Sequence, residues 1–157
     1  MSGAQRFEDL IVWQIAVELR EVLYQLTESA RVQRDQEFVR QIRSSACSIP
    51  RNISEGFAKY DPPEFARYMN IAKGSIAETQ NHLRHGRAQK YFTEEDYTKA
   101  WRLACRTLRA ASRLHAYLRT CGKHHKPGQS RTPQNPEPEE HRGTPQNPAE
   151  PEPRRTW

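Results

Sequence analysis

From Val12 onward, apolar residues recur at Ala16, Leu19, Leu23, Leu26 and Ala30, alternating steps of four and three that put them on one face of a helix. Ile11, Ile15 and Val22 widen that stripe, and Trp13 and Val17 add a second apolar edge. A helix with one neighbour buries less than this. The pattern predicts a first helix with two contact surfaces, one of which fits another subunit.

A second period runs through Phe38, Ile42, Ala46, Ile49, Ile53 and Phe57. Pro50 falls inside it and removes one backbone hydrogen bond, at a cost of about 3 kcal/mol in a regular helix. Because the period continues in phase across Pro50, it predicts one kinked helix rather than two, with Gly56 in the C-terminal cap region. Asp61-Pro62-Pro63-Glu64 then supplies a capping side chain, prolines where no amide is needed and an acid near the helix dipole. The third helix that starts there carries Phe65, Met69, Ala72, Ile76, Thr79 and Leu83, with Gly74 and Ser75 placed to let a neighbour approach closely. Thr93 followed by Asp96 resembles a capping box and opens a fourth helix through Tyr97, Trp101, Ala104, Leu108, Ala111, His115 and Leu118. Tyr97 and Trp101 lie on the apolar row and read as core. No segment alternates strictly and the connectors are short, so the fold class is all-α: an up-down-up-down four-helix bundle with a kinked second helix.

Composition limits where that bundle ends. Eight of the eleven prolines lie between Gly122 and Trp157, a stretch with almost no aliphatic residue and the repeat Thr132-Pro133-Gln134-Asn135-Pro136, Thr144-Pro145-Gln146-Asn147-Pro148. Such a segment buries too little apolar surface to offset its ordering entropy. The domain reading is a bundle over 1–121 and a disordered proline-rich tail over 122–157. Met1 to Cys121 holds 19 basic and 14 acidic side chains, so +5 of the whole-chain +6 belongs to the bundle. That basicity fits a nucleic-acid or acidic-protein partner.

Cys47, Cys105 and Cys121 are too scattered for a disulfide framework or a zinc site and read as reduced thiols. The N-terminus lacks an apolar signal core and no stretch of 18 apolar residues occurs, which predicts a cytoplasmic location with no membrane partner.

Lys99, Arg102, Arg106, Arg109 and Arg113, spaced three and four apart, place five positive charges along one face of the fourth helix with no acid between them. A solvated helix surface accounts for such a face, but like charges at this spacing repel, and a phosphate backbone would compensate them. Arg43 and Arg51 extend the candidate patch, as does Arg20. Asn52, Glu55, Ser75 and Glu78 are polar residues on the second and third helices. They read as a network that satisfies backbone groups freed by Pro50 and pins the helix register, in preference to a catalytic carboxylate pair. Glu78, His82 and His85 share a helical face, but other helices supply only His115, short of what a di-metal bundle needs. No phosphate loop, metalloprotease helix or redox Cys-x-x-Cys occurs, so no catalytic residue, metal or cofactor is predicted.

Three motifs occur in order: Phe7-Glu8-Asp9-Leu10 with Val12-Trp13-Gln14; Arg43-Ser44-Ser45-Ala46-Cys47-Ser48-Ile49-Pro50-Arg51-Asn52-Ile53-Ser54-Glu55-Gly56; and Glu64-Phe65-Ala66-Arg67-Tyr68-Met69-Asn70-Ile71-Ala72-Lys73-Gly74-Ser75-Ile76-Ala77-Glu78. Together they resemble the four-helix-bundle proteins named after 23S ribosomal RNA intervening sequences, over roughly Phe7 to Thr120. Ser48, Pro50, Asn52, Glu55, Gly56, Ser75 and Glu78 stand within these signatures. The resemblance implies a homopentameric ring and a distant likeness to the accessory protein of diversity-generating retroelement reverse transcriptases. Binding to structured RNA is the role usually proposed for the family. The polar run Val32-Gln33-Arg34-Asp35 and the tail depart from the family pattern.

Taken together, these features favour a non-enzymatic homo-oligomer that binds nucleic acid, RNA before DNA, through its basic face. A scaffold for an acidic protein, or an accessory subunit of a reverse transcriptase or other RNA-handling enzyme, is the alternative. A hydrolase using Glu55 and Glu78 ranks last.

Overall fold

A computed structural model of the chain describes residues 4–123, and within them four long helices form a bundle. After a 3₁₀ turn at Phe7–Asp9, α1 spans Ile11–Leu26, a short α2 Ala30–Gln33, α3 Gln36–Phe57, α4 Pro62–Ala88 and α5 Glu94–Lys123. Successive long helices pack on one another and α5 returns against α1, while no Cα pair lies within 8 Å across the α1/α4 or α3/α5 diagonals. The up-down-up-down order therefore closes into a square. α5 continues to Lys123, past the expected boundary at Cys121; the rest of the proline-rich tail lies outside the described residues.

The start signals read from the sequence are used. Asp61 accepts from the Glu64 N–H at 3.0 Å, with Pro62 and Pro63 in the first turn of α4, and Thr93 accepts from the Asp96 N–H at 3.1 Å at the start of α5. Leu19, Leu23, Ile42, Ile49, Ile53, Met69, Ile76 and Leu83 fill the centre and are fully buried.

One boundary differs from the sequence reading. The first helix stops at Leu26, and Ala30, although in phase, opens the separate α2. The Thr27 hydroxyl donates to the carbonyls of Leu23 and Tyr24 at 2.8 and 3.0 Å, and the Arg43 guanidinium donates in turn to Thr27 Oγ1 at 2.8 Å. The Thr27 N–H reaches the same two carbonyls at 3.1 and 3.2 Å, and the hydroxyl and Arg43 add further polar partners at the stop. The polar run that follows has a matching role: Asp35 caps α3 through the Phe38 N–H at 3.0 Å while Val32 is fully buried.

α3 is continuous through a buried Pro50. Its seam with α4 carries a chain of hydroxyls: Ser75 donates to Ser48 Oγ at 2.9 Å, Thr79 donates to Ser45 Oγ at 3.0 Å, and the Asn52 amide donates to Ser48 O at 2.7 Å. Gly56 acts by close approach rather than as a cap, because a Cβ there would lie 2.6 Å from both Phe65 Cδ2 and Tyr68 Cβ. Gly74 has the opposite surroundings: it is exposed, with nothing within 4 Å of a Cβ, so the expected close approach at that glycine does not occur.

Candidate nucleic-acid interface

α5 owes its two faces to the four-three spacing. Leu103, Ala104, Ala111 and Leu118 are buried against α1 and α4, which turns Lys99, Arg102, Arg106, Arg109 and Arg113 outward. All five are exposed, and they span fourteen helical steps, about 21 Å. Among the described residues none of the five pairs with a carboxylate, whereas Arg6, Arg20, Arg40, Arg67 and Arg87 each do.

The surroundings of the stripe change along its length. Lys99, Arg102 and Arg106 line an open groove of about 700 Å³ together with Glu18 of α1 and Glu94 and Glu95 of the first α5 turn. The face is free of acids along α5 from Lys99 to Arg113, but not in space. Further along, Arg106, Arg109 and Arg113 line a cleft with Ile11 and Ile15, and Ile11 is 69% exposed.

Arg43 and Arg51 belong to α3, on the corner diagonal to α5, so the structure does not bring them to the stripe. The half-buried Arg43 lies 4.5 Å above the Tyr24 ring and bonds Thr27 and the Tyr24 carbonyl. Arg51 is exposed, and Arg20 is half-buried and paired with Glu21 at 2.6 Å.

Of the polar signature residues, Ser48, Asn52 and Ser75 meet in the α3/α4 seam. Glu55 instead accepts from the Tyr68 hydroxyl at 3.3 Å, and Glu78 lies 3.6 Å from His82 Nε2. Since Ser45 and Ser48 align with Thr79 and Ser75, Glu55 and Glu78 sit at different levels, at least two helical turns or about 10 Å apart along the seam. Among the described residues no group of three or more His, Cys, Asp or Glu is placed to hold a metal ion.

Two features escaped the sequence reading. Tyr97 and Trp101 stack at 5.8 Å between centroids, half-buried at the α4/α5 edge rather than in the core, with Arg87 4.7 Å above Tyr97 and Arg84 4.9 Å above Trp101. The spacing of Arg84 and Arg87 against Tyr97 and Trp101 was available in the sequence; their facing across two helices was not. The second is a groove lined by Arg67, His115 and Arg119, hidden because His115 falls on the apolar row of α5.

The matching family model decides the affiliation: the model described as 23S rRNA-intervening sequence protein covers residues 8–112. The chain belongs to that family. Among curated proteins none matches it. The matched segment includes the α3/α4 seam and four of the stripe residues, Lys99, Arg102, Arg106 and Arg109, and ends just before Arg113.

Proposed function

We propose that this protein is a non-enzymatic, homo-oligomeric nucleic-acid-binding module of the cytoplasm that grips structured RNA through the basic face of α5. The observation that carries the reading is the set of five exposed cations on about 21 Å of helix, none paired within the described bundle. Unpaired like charges at helical spacing destabilise the helix slightly, and phosphates compensate them with release of counterions. Self-association is supported by Ile11 and by the half-buried Trp13, Ile15 and Val17 on α1. A pentameric ring would repeat the stripe five times around one axis. Membership in a family named for ribosomal RNA intervening sequences makes RNA the first polymer to try.

The test is the triple substitution R102Q/R106Q/R109Q, since Gln keeps good helix propensity. Affinity for a structured RNA should fall, and the slope of log affinity against log salt should become shallower by about 0.9 for each duplex-phosphate contact removed. Light scattering of the wild-type chain should give about five subunits. Absence of measurable affinity at low salt, where this electrostatic term is strongest, would overturn the reading.

The cleft that joins Ile11 and Ile15 to Arg106, Arg109 and Arg113 favours a second reading, a docking face for an acidic protein, or for a reverse transcriptase or other RNA-handling enzyme to which this chain is an accessory subunit. An apolar rim beside cations suits a protein surface better than a bare phosphate backbone. Competition between unlabelled RNA and the protein partner separates the two.

A further inference from the structure

On the α4/α5 edge, away from the α1 side that the stripe shares, the first half of α4 and the last half of α5 enclose an open groove of about 550 Å³. Its walls are Pro63, Ala66, Arg67, Asn70, His115, Leu118 and Arg119. Ala66 and Leu118 are buried and form an apolar floor; Arg67 and Arg119 are exposed at the rim. Among the described residues no carboxylate lines the groove, in contrast to the larger one that holds Glu18, Glu94 and Glu95.

We propose that this groove binds a phosphate group, held by Arg67, Arg119 and His115 with the Asn70 amide as a neutral donor. The chemistry of the donors selects the ligand. Guanidinium groups present forked N–H donors that match the oxygens of a phosphate, and a charge-assisted bond is roughly twice as strong as a neutral one. Arg67 turns Nε and Nη2 to Glu64 at 3.2 Å, which leaves Nη1 free of that pair; Arg119 forms no ion pair among the described residues. The volume falls within the roughly 300–1,000 Å³ of small-ligand sites, so the apolar floor has room for the organic group that a phosphate ester carries.

His115 supplies a second line of argument and a reporter. Burial holds its ionisation below the ordinary histidine value, and the positive charges of Lys73 on α4 and Arg119 on its own helix add to the effect. Among the described residues the charges that act on the ring are these two cations. A bound oxyanion opposes their field and stabilises the imidazolium, so occupancy raises the His115 pKa.

The experiment follows the imidazole signal of His115 by NMR in the full chain through a pH titration at constant ionic strength, with the signal assigned by its loss in H115N. Inorganic sulfate, which keeps its charge through the histidine range, and an RNA duplex are the two probes. The His115 pKa should rise with sulfate, and R67Q/R119Q should weaken sulfate binding about tenfold or more while leaving the helical circular dichroism unchanged. A response to sulfate alone assigns the groove to a free phosphate-bearing ligand; a response to the duplex, with or without sulfate, assigns it to the nucleic-acid backbone. R102Q/R106Q/R109Q should keep the sulfate response, so the groove and the α5 stripe stand or fall separately. A His115 pKa that neither probe moves, or a sulfate response that R67Q/R119Q leaves intact, overturns the proposal.

Discussion

The Asp35 carboxylate accepts from the Tyr91 hydroxyl at 2.8 Å and so ties the cap of α3 to the connector between α4 and α5. The same carboxylate caps α3 through the Phe38 N–H, and that bond first, then Tyr91, holds its ionisation below the usual carboxylate range. A depressed carboxylate contributes stability that is present above its unfolded pKa, about 3.9, and is lost as pH falls through the folded value. Tyr91 moves the other way: Asp35 raises its pKa, so its contribution is present below the unfolded value near 10 and is lost as pH rises through the folded one. D35N should melt at a lower temperature than wild type at neutral pH, and the gap should close as pH falls through the depressed folded value of Asp35. A gap that persists unchanged in acid, followed by circular dichroism, would assign the loss to something other than the carboxylate's charge.

The glycines of the α3/α4 hairpin make a contrasting pair. A Cβ on Gly56 meets Phe65 and Tyr68 at 2.6 Å, so G56A should cost about 1–3 kcal/mol through forced repacking of the seam. Gly74 faces open space within a helix, and G74A should be stabilising by about 0.5–1 kcal/mol because alanine loses less backbone entropy. Urea midpoints of the two variants check both signs at once. No loss in G56A would show that the seam does not approach closely at Gly56, and a loss in G74A would show that Gly74 does not face open space.

Much of this bundle was legible in the chain. Capping at Asp61 and Thr93 rests on side chains that bond within three residues, and local chemistry of that kind can be read from neighbours in sequence. The faces of α3, α4 and α5 followed from periodicity alone. The end of α1 was not legible, because Ala30 keeps the phase and the decision rests on Arg43, sixteen residues after Thr27. For the same reason Arg43 read as a free surface cation. Gly56 and Gly74 both stand inside signature segments, and only the packing of α3 on α4 tells the crowded one from the open one. The acids beside the basic stripe were missed in part because Glu18 comes from another helix.

We propose that Arg43 acts in stability rather than as a phosphate contact. Its guanidinium bonds Thr27 and the Tyr24 carbonyl and covers the Tyr24 ring, and a hydrogen bond from a charged group contributes about 1.5–3 kcal/mol. R43Q should lower stability by an amount of that order while leaving RNA affinity per folded molecule unchanged. Binding titrations of R43Q, corrected for the folded fraction measured by circular dichroism, supply the check. A parallel loss of affinity would place Arg43 on the binding surface instead.

The acids that share the groove with Lys99, Arg102 and Arg106 predict a gain of function. Glu18 and Glu95 lie beside those cations without pairing to them among the described residues, so each lowers the local positive potential that a phosphate meets. Glu94 is left out of the test because it already pairs with Arg87 at 2.9 Å. In water, a unit charge about 8 Å from a phosphate contributes roughly 0.5 kcal/mol of repulsion, and two contribute about 1 kcal/mol. E18Q/E95Q should therefore bind a structured RNA about fivefold more tightly at low salt. The gain should shrink as ionic strength rises, because a Debye length of about 8 Å at physiological salt is already comparable with the separation. R102Q/R106Q/R109Q should remove the binding that this pair of substitutions enhances. Anisotropy titrations across a salt series measure the wild type and both variants on one scale. Unchanged affinity in E18Q/E95Q at low salt would mean that the phosphates do not approach the Lys99 end of α5, and would move the contact toward Arg109 and Arg113.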